Sequence, residues 1–209
     1  MRARDGLVVE SLRKDWPGKT ITVSFEVPRG GSLAVLGPSG CGKSSVLRMI
    51  AGLLEPDAGR VTLEGRDITL LPPGKRRVGM VFQDSALFSH LSVADNIAYG
   101  LACKGVPARE RRAAAERWLG LMGLEGFGAR RVETLSGGEK QRVALARTLA
   151  VEPGLVLFDE PLSALDSDLR VRLGGELRAR QLEFGFTALY VTHDEAEATR
   201  LADRVIRMP

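Results

Sequence analysis

Gly37-Pro38-Ser39-Gly40-Cys41-Gly42-Lys43-Ser44 is the stretch on which the reading of the whole chain turns. It fits the pattern G-x-x-x-x-G-K-S/T at every fixed position. Its flanks are what such a loop needs. Ser32 to Leu36 is a short, mostly apolar run suited to a buried strand, and Ser44 to Leu53 carries Val46, Leu47, Ile50 and Ala51 at helical spacing, with Leu54 just beyond. Glycines at 37, 40 and 42 let the backbone bend and turn its N–H groups inward, and the following helix aims the positive end of its dipole at the same point. The product is a cradle for phosphate groups. Lys43 is expected to reach the β- and γ-phosphates of a bound nucleotide, and the Ser44 hydroxyl to bind Mg²⁺, a hard cation that prefers oxygen. Cys41 lies inside the loop, where the backbone does the cradling and its side chain has no necessary chemistry.

Working outward, Leu7 to Leu12 and Thr20 to Val27 read as strands. The second alternates Ile21, Val23, Phe25 and Val27 with polar residues before the turn Pro28-Arg29-Gly30-Gly31. Val61 to Leu63 and Val78 to Phe82 look like further strands. From about Asp84 to Ala150 the pattern becomes mainly helical, with one long helix from Pro107 through Met122 and another starting near Gly137. Strands return at Leu155 to Phe158, Ala188 to Val191 and Val205 to Met208, separated by helices at Ser167 to Phe184 and Glu195 to Leu201. Alternating strands and helices imply a parallel α/β core. The expected fold is therefore a P-loop NTPase core with a parallel sheet, an N-terminal antiparallel β portion and an inserted α-helical subdomain. The whole is read as a single domain: residues 1–83 and 151–209 form the core and 84–150 the insertion.

The strand Leu155 to Phe158 runs into Asp159 and Glu160. Two acids at the C-terminal end of a parallel strand, beside a phosphate loop, can divide the labour. Asp159 is expected in the Mg²⁺ shell. Glu160 is expected to orient or deprotonate the attacking water, because phosphoryl transfer rests on positioning and charge stabilisation.

Composition narrows the class. Of 209 residues 44% are hydrophobic and 27% charged, the balance of a globular chain with a real core. The net charge of +4 is small and spread out, Lys75-Arg76-Arg77 being the densest basic run, so nucleic acid is not an expected partner. Two cysteines make neither a disulfide framework nor a metal site. There is no long apolar segment and no secretory leader, which predicts a cytoplasmic protein whose membrane association comes through a partner.

Between the loop and the acidic pair stands Leu135-Ser136-Gly137-Gly138-Glu139, followed by Lys140-Gln141-Arg142-Val143-Ala144-Leu145-Ala146-Arg147. This resembles the signature motif of the ATP-binding-cassette (ABC) ATPases, and with the other motifs the resemblance covers essentially the whole chain. It implies ATP and Mg²⁺ as ligands. It also implies a head-to-tail dimer or pseudo-dimer in which Ser136, Gly137 and Gly138 of one subunit close on the nucleotide held by Gly37 to Ser45 of the other. The family motif carries further positions onto this chain. Gln83 falls where a glutamine contacts the metal or its water, Asp166 in the loop linking the two sites, His193 at the switch histidine near the γ-phosphate, and Trp16 where an aromatic stacks on adenine. Glu139 departs from the usual glutamine, which puts a direct role for that side chain in doubt. The segment Asp84 to Asn96, with Leu87 and Phe88 expected to be exposed, resembles the groove that receives a short helix from a membrane permease.

The block Val78 to Leu101 is similar to bacterial importers, which implies permease partners and an extracytoplasmic solute-binding protein, with this chain peripheral on the cytoplasmic face of the membrane. No C-terminal regulatory domain is expected after the last strand, as in the thiamine-type or iron-type ATPases. The alternatives are a soluble ABC ATPase acting on nucleic acid or translation, and a regulatory nucleotide-binding module without catalysis.

Overall fold

A computed structural model describes residues 6–82, 84–163 and 167–209. Its contacts divide the chain into one compact unit of residues 1–83 and 154–209, and another of residues 84–153.

The first unit holds two sheets. Strands β1 (Leu7–Trp16), β2 (Lys19–Val27), β4 (Ala58–Leu63) and β5 (Arg66–Asp67) form an antiparallel sheet in the order β2-β1-β4-β5. The predicted alternation holds in β2, where Ile21, Phe25 and Val27 are buried. In β1 the buried residues are Leu7, Val9 and Leu12, a spacing that breaks period 2. The register slips between Val9 and Leu12, and Ser11 takes φ 47 with its N–H donating to the Ser24 hydroxyl. This bulge returns Leu12 to the core face and lets the strand continue to Trp16, beyond the end expected from the sequence.

The second sheet is parallel, in the order β6-β7-β8-β3-β9, from β3 (Ser32–Leu36), β6 (Val78–Val81), β7 (Leu155–Asp159), β8 (Thr187–Thr192) and β9 (Arg204–Arg207). All five residues of β3 and all six of β8 are buried, as sheet strands covered on both faces require. Helix α1 (Lys43–Ala51) follows β3, α5 (Ser167–Phe184) lies between β7 and β8, and α6 (Glu195–Leu201) between β8 and β9. A nine-residue helix is unstable alone. Val46, Leu47, Met49 and Ile50 of α1 are each 0% exposed, and at about 2 kcal/mol per buried side chain their packing outweighs the helix-forming tendency of the segment.

The end of α1 accounts for the middle residue of the basic run Lys75-Arg76-Arg77. Gly52 closes the helix at φ 79, and Arg76 is only 4% exposed. Its guanidinium donates to the carbonyls of Met49 and Ile50 in the last turn, and to those of Thr69 and Leu71. The middle residue of the basic run is thus a buried cap on α1, placed at the negative end of its dipole, and no basic stripe runs through it.

The second unit holds α2 (Val93–Cys103), α3 (Ala108–Leu121) and α4 (Gly137–Leu149). Pro107 is the cap of α3 and lies just outside its first turn. Helix α2, which the sequence showed only as part of a helical block, starts at Ser92, whose hydroxyl accepts from the Asp95 N–H. Leu87 and Phe88 are half-buried, a correction to their expected exposure. The Phe88 ring lies 4.4 Å from that of Tyr99, and the fully buried Asn96 exchanges hydrogen bonds with the Phe88 N–H and carbonyl. Among the described residues no helix is long and apolar enough to cross a membrane.

Replacing Arg76 by Met keeps the apolar stem and leaves four carbonyls without their donor. The expected loss is about 3 kcal/mol in urea unfolding. A loss below about 1 kcal/mol would show that the guanidinium is not the cap of α1.

Candidate functional site

Register builds the site. Across the parallel sheet Leu36 pairs with Thr192, and Val191 with Asp159. Strands β3, β8 and β7 therefore end level with one another, and whatever follows each of them is delivered to one edge. The residues delivered are the glycine-rich loop after β3, the acidic pair at the end of β7, and His193 after β8.

The loop is held by contacts that also account for its glycines. The Gly37 N–H donates to the Thr192 carbonyl (3.4 Å) and the Cys41 N–H to the Pro38 carbonyl (3.2 Å). Gly42 has φ 110, and a Cβ there would sit 1.9 Å from Cδ1 of Ile21. The last glycine of the loop is thus required both by its backbone and by β2, whose buried isoleucine presses on it. Gly40 has φ 81 but open space around it. Cys41 is buried, with its Sγ where a side chain on Gly37 would go, so it packs the loop from beneath. Lys19, next to the β1–β2 turn, donates from Nζ to the Gly40 carbonyl. The turn bearing Trp16, which pairs with Lys19 and is 37% exposed, is thereby tied to the loop tip.

Helix α1 begins with no side-chain cap and no acid in its first turn. Helices α2, α4 and α6 each have one. An uncapped N-terminus at a sheet edge offers free N–H groups and a positive dipole end to an anion. Lys43 is 4% exposed. Its ammonium donates to the Gly37 (2.8 Å) and Pro38 (2.9 Å) carbonyls and stands 4.0 Å from Glu160 Oε1. The Ser44 hydroxyl donates to Asp159 Oδ1 at 2.8 Å. Pro38, Ser39 and Gly40 are exposed at the loop tip, and Ser45 is half-buried in the first turn of α1.

Regular strand geometry would send Asp159 and Glu160 to opposite faces. They nevertheless reach consecutive residues of α1, because Glu160 leaves the strand at φ 46. Its N–H still bonds the Val191 carbonyl, while its own carbonyl accepts from Ser163, from N–H at 3.3 Å and from Oγ at 3.0 Å. A non-glycine residue in the left-handed region costs about 1–2 kcal/mol and tends to occur where function needs the side chain aimed. Glu160 Oε2 then meets His193 Nδ1 at 3.1 Å. One carboxylate thus joins the lysine of the loop to the imidazole from β8.

Beyond His193, the Asp194 side chain caps α6 by accepting from the Glu197 N–H, and it accepts from Arg170 at 3.3 Å. These contacts hold its carboxyl below the usual range, the Glu197 N–H being the main cause. Burial pushes the Glu197 carboxyl up, and a hydrogen bond from the Thr192 hydroxyl pulls the other way.

The structure brings together Gly37 to Ser45, Asp159, Glu160 and His193, with the Trp16 turn adjoining. Gln83 and Asp166 fall outside the described residues. Ser136, Gly137 and Gly138 open α4 in the other unit. There Ser136 and Glu139 form a reciprocal capping box: the Ser136 N–H donates to Glu139 Oε2 (2.7 Å), and the Glu139 N–H to the Ser136 hydroxyl (3.3 Å). That gives Glu139, the departure from the family pattern, a structural role. The backbone hydrogen bond from Ser136 also keeps its carboxyl below the ordinary range. Sequence reasoning missed Lys19 and Ile21, and it placed Ser163 only in the loop linking the two sites, not as a donor to the Glu160 carbonyl. The alternation of β2 placed Ile21 on a buried face, but nothing local named its neighbour.

Residues 21–163 match the ABC transporter family. An Fe(3+) ions import ATP-binding protein, FbpC, of Agrobacterium fabrum is 48% identical over 204 residues, which are 97% of this chain and 58% of the relative. A sulfate/thiosulfate import ATP-binding protein, CysA, of Mycobacterium tuberculosis is 50% identical over 183 residues, 88% of this chain and 52% of the relative. The chain thus spans somewhat more than half the length of these relatives. Among solved structures, a part of the ABC transporter complex cbiONQ from Clostridium perfringens superimposes with a TM-score of 0.86 at 31% identity, covering 97% of this chain and 84% of that one.

Gly40 and Gly42 separate backbone strain from crowding. Gly40→Ala is expected to cost about 1 kcal/mol and Gly42→Ala about 3 kcal/mol, read from chemical unfolding without nucleotide. Equal losses would remove the role given to Ile21.

Proposed function

The chain belongs to the ABC transporter family, and from that premise we propose that it is the ATP-binding and ATP-hydrolysing subunit of a membrane transporter, of the importer type. The observation that carries this reading is the convergence of Lys43, Asp159, Glu160 and His193 on the uncapped N-terminus of α1. An anion cradle with a carboxylate base and an imidazole beside it suits the attack of water on a terminal phosphate.

The loop from Gly37 to Ser45 cradles the β- and γ-phosphates with backbone N–H groups, and Lys43 turns from the Gly37 and Pro38 carbonyls toward the γ-phosphate. Trp16 takes the adenine on its ring. The Ser44–Asp159 pair is a hard-oxygen donor set that fits Mg²⁺, with Gln83 as the further contact. Among the described residues no cluster of three or more His, Cys, Asp or Glu side chains could hold a metal. A bound Mg²⁺ neutralises charge on the phosphate oxygens. Glu160 accepts a proton from the water that attacks the γ-phosphorus, the bond to the β-phosphate oxygen breaks, and ADP and phosphate leave. His193, held by Glu160, donates to the γ-phosphate oxygens as their charge redistributes.

A second copy, or a homologous subunit, completes each site with Ser136, Gly137 and Gly138 at the start of its α4, and Asp166 links the two sites. ATP bridging both cradles closes the dimer, and loss of phosphate opens it. Asp84 to Asn96, with half-buried Leu87 and Phe88, is the surface offered to a permease helix on the cytoplasmic face of the membrane, and a solute-binding protein delivers cargo outside. The relatives are named for iron, spermidine/putrescine and sulfate import, cargoes of unlike charge, so the cargo is read by other subunits.

Glu160→Gln keeps the shape and removes the base. Phosphate release is expected to fall by at least about 100-fold while ATP binding persists, and the ATP-loaded protein is expected to accumulate as a dimer in gel filtration. Hydrolysis at the wild-type rate would remove Glu160 from the chemistry.

A further inference from the structure

The buried acid of α6 has a place in this machinery that the motifs do not assign. Glu197 is 2% exposed, and Thr192 is 1% exposed. The Thr192 hydroxyl donates to Glu197 Oε2 at 2.8 Å, and its oxygen accepts from the Asp194 N–H at 3.1 Å. Glu197 Oε1 has no hydrogen-bond partner among the described residues. A hydroxyl has one proton. With that proton committed to the carboxylate, its lone pairs are left facing Asp194. The loop is therefore closed on both sides of residue 193: Thr192 is fixed by Glu197 and, through its carbonyl, by the Gly37 N–H, and Asp194 is fixed by Thr192, Arg170 and the Glu197 N–H. The imidazole between them is 48% exposed, and its Nδ1 lies 3.1 Å from Glu160 Oε2. The ring is thus aimed by Glu160 and by its own backbone, and that backbone is held by a buried acid. An acid with one unpartnered oxygen in the core costs stability, which makes a purely structural purpose a poor account of it.

We propose that Glu197 is the positioning residue for His193, its carboxyl fixing the Thr192 hydroxyl and thereby the turn that presents the imidazole to Glu160 and the γ-phosphate. This rests on the reading of His193 given above. The test is steady-state ATP hydrolysis by the purified protein, with thermal melting as a check on folding. Glu197→Ala lowers kcat about tenfold and leaves the KM for ATP within about twofold, since geometry for the step changes while the cradle does not. Glu197→Gln, whose amide oxygen accepts the same hydroxyl, restores most of the rate. Thr192→Val, which removes the hydroxyl from an intact strand, reproduces the loss even if Glu197→Ala does not fold. In a His193→Ala background neither Glu197→Ala nor Thr192→Val slows the reaction further. A His193-dependent rate with an additive loss from either variant, a wild-type rate in Thr192→Val, or no recovery in Glu197→Gln overturns the positioning role alone. A wild-type rate in His193→Ala overturns the assignment of the imidazole itself, and the positioning role with it.

Discussion

Three parallel strands that end level are the constraint from which the rest of the site follows. The pairing of Leu36 with Thr192 and of Asp159 with Val191 places the exits of β3, β7 and β8 side by side. Had β7 slipped by one residue, the acidic pair would trade faces and the contact between Asp159 and Ser44 would be lost. The strands are buried along nearly their whole length, so the register is fixed by packing that has nothing to do with chemistry, and the chemistry is carried at the edge.

The loop that hangs from this edge is preshaped. Lys43 bonds two loop carbonyls, Lys19 holds the tip, and Ile21 fills the space beside Gly42. The backbone of the loop is thus shaped by the folded chain itself, and Lys43 is held by carbonyls of the same loop. The left-handed turn at Glu160 belongs to the same economy, a local cost sustained by the bonds to Val191 and Ser163 on either side of it.

The two helix starts read as anion sites differ in a way that suits different duties. Helix α1 leaves its first turn bare, whereas α4 satisfies two groups internally through Ser136 and Glu139. A permanent phosphate holder gains from open donors. A surface that closes on a ligand and then lets go gains from keeping its shape when empty, which the capping box provides.

Local pattern alone determined a great deal here. The loop with its flanking strand and helix, the alternation of β2, the acidic pair at a strand end and the signature before α4 are statements about neighbours in sequence, and they announced the parallel core, the helical block and the candidate phosphate site. The bulge at Ser11, the burial of Arg76 as the cap of α1, the pressure of Ile21 on Gly42, the turn at Glu160 and the link from Glu197 to Thr192 were decided only in three dimensions. All but the last join or re-aim residues through contacts far apart in the chain. Glu197 is close to Thr192 in sequence, but the burial that makes its carboxyl matter comes from the whole sheet packed around it. Periodicity tells which face of a strand or helix is apolar; which residue it meets there depends on register and close packing, and those exist only once the chain has folded.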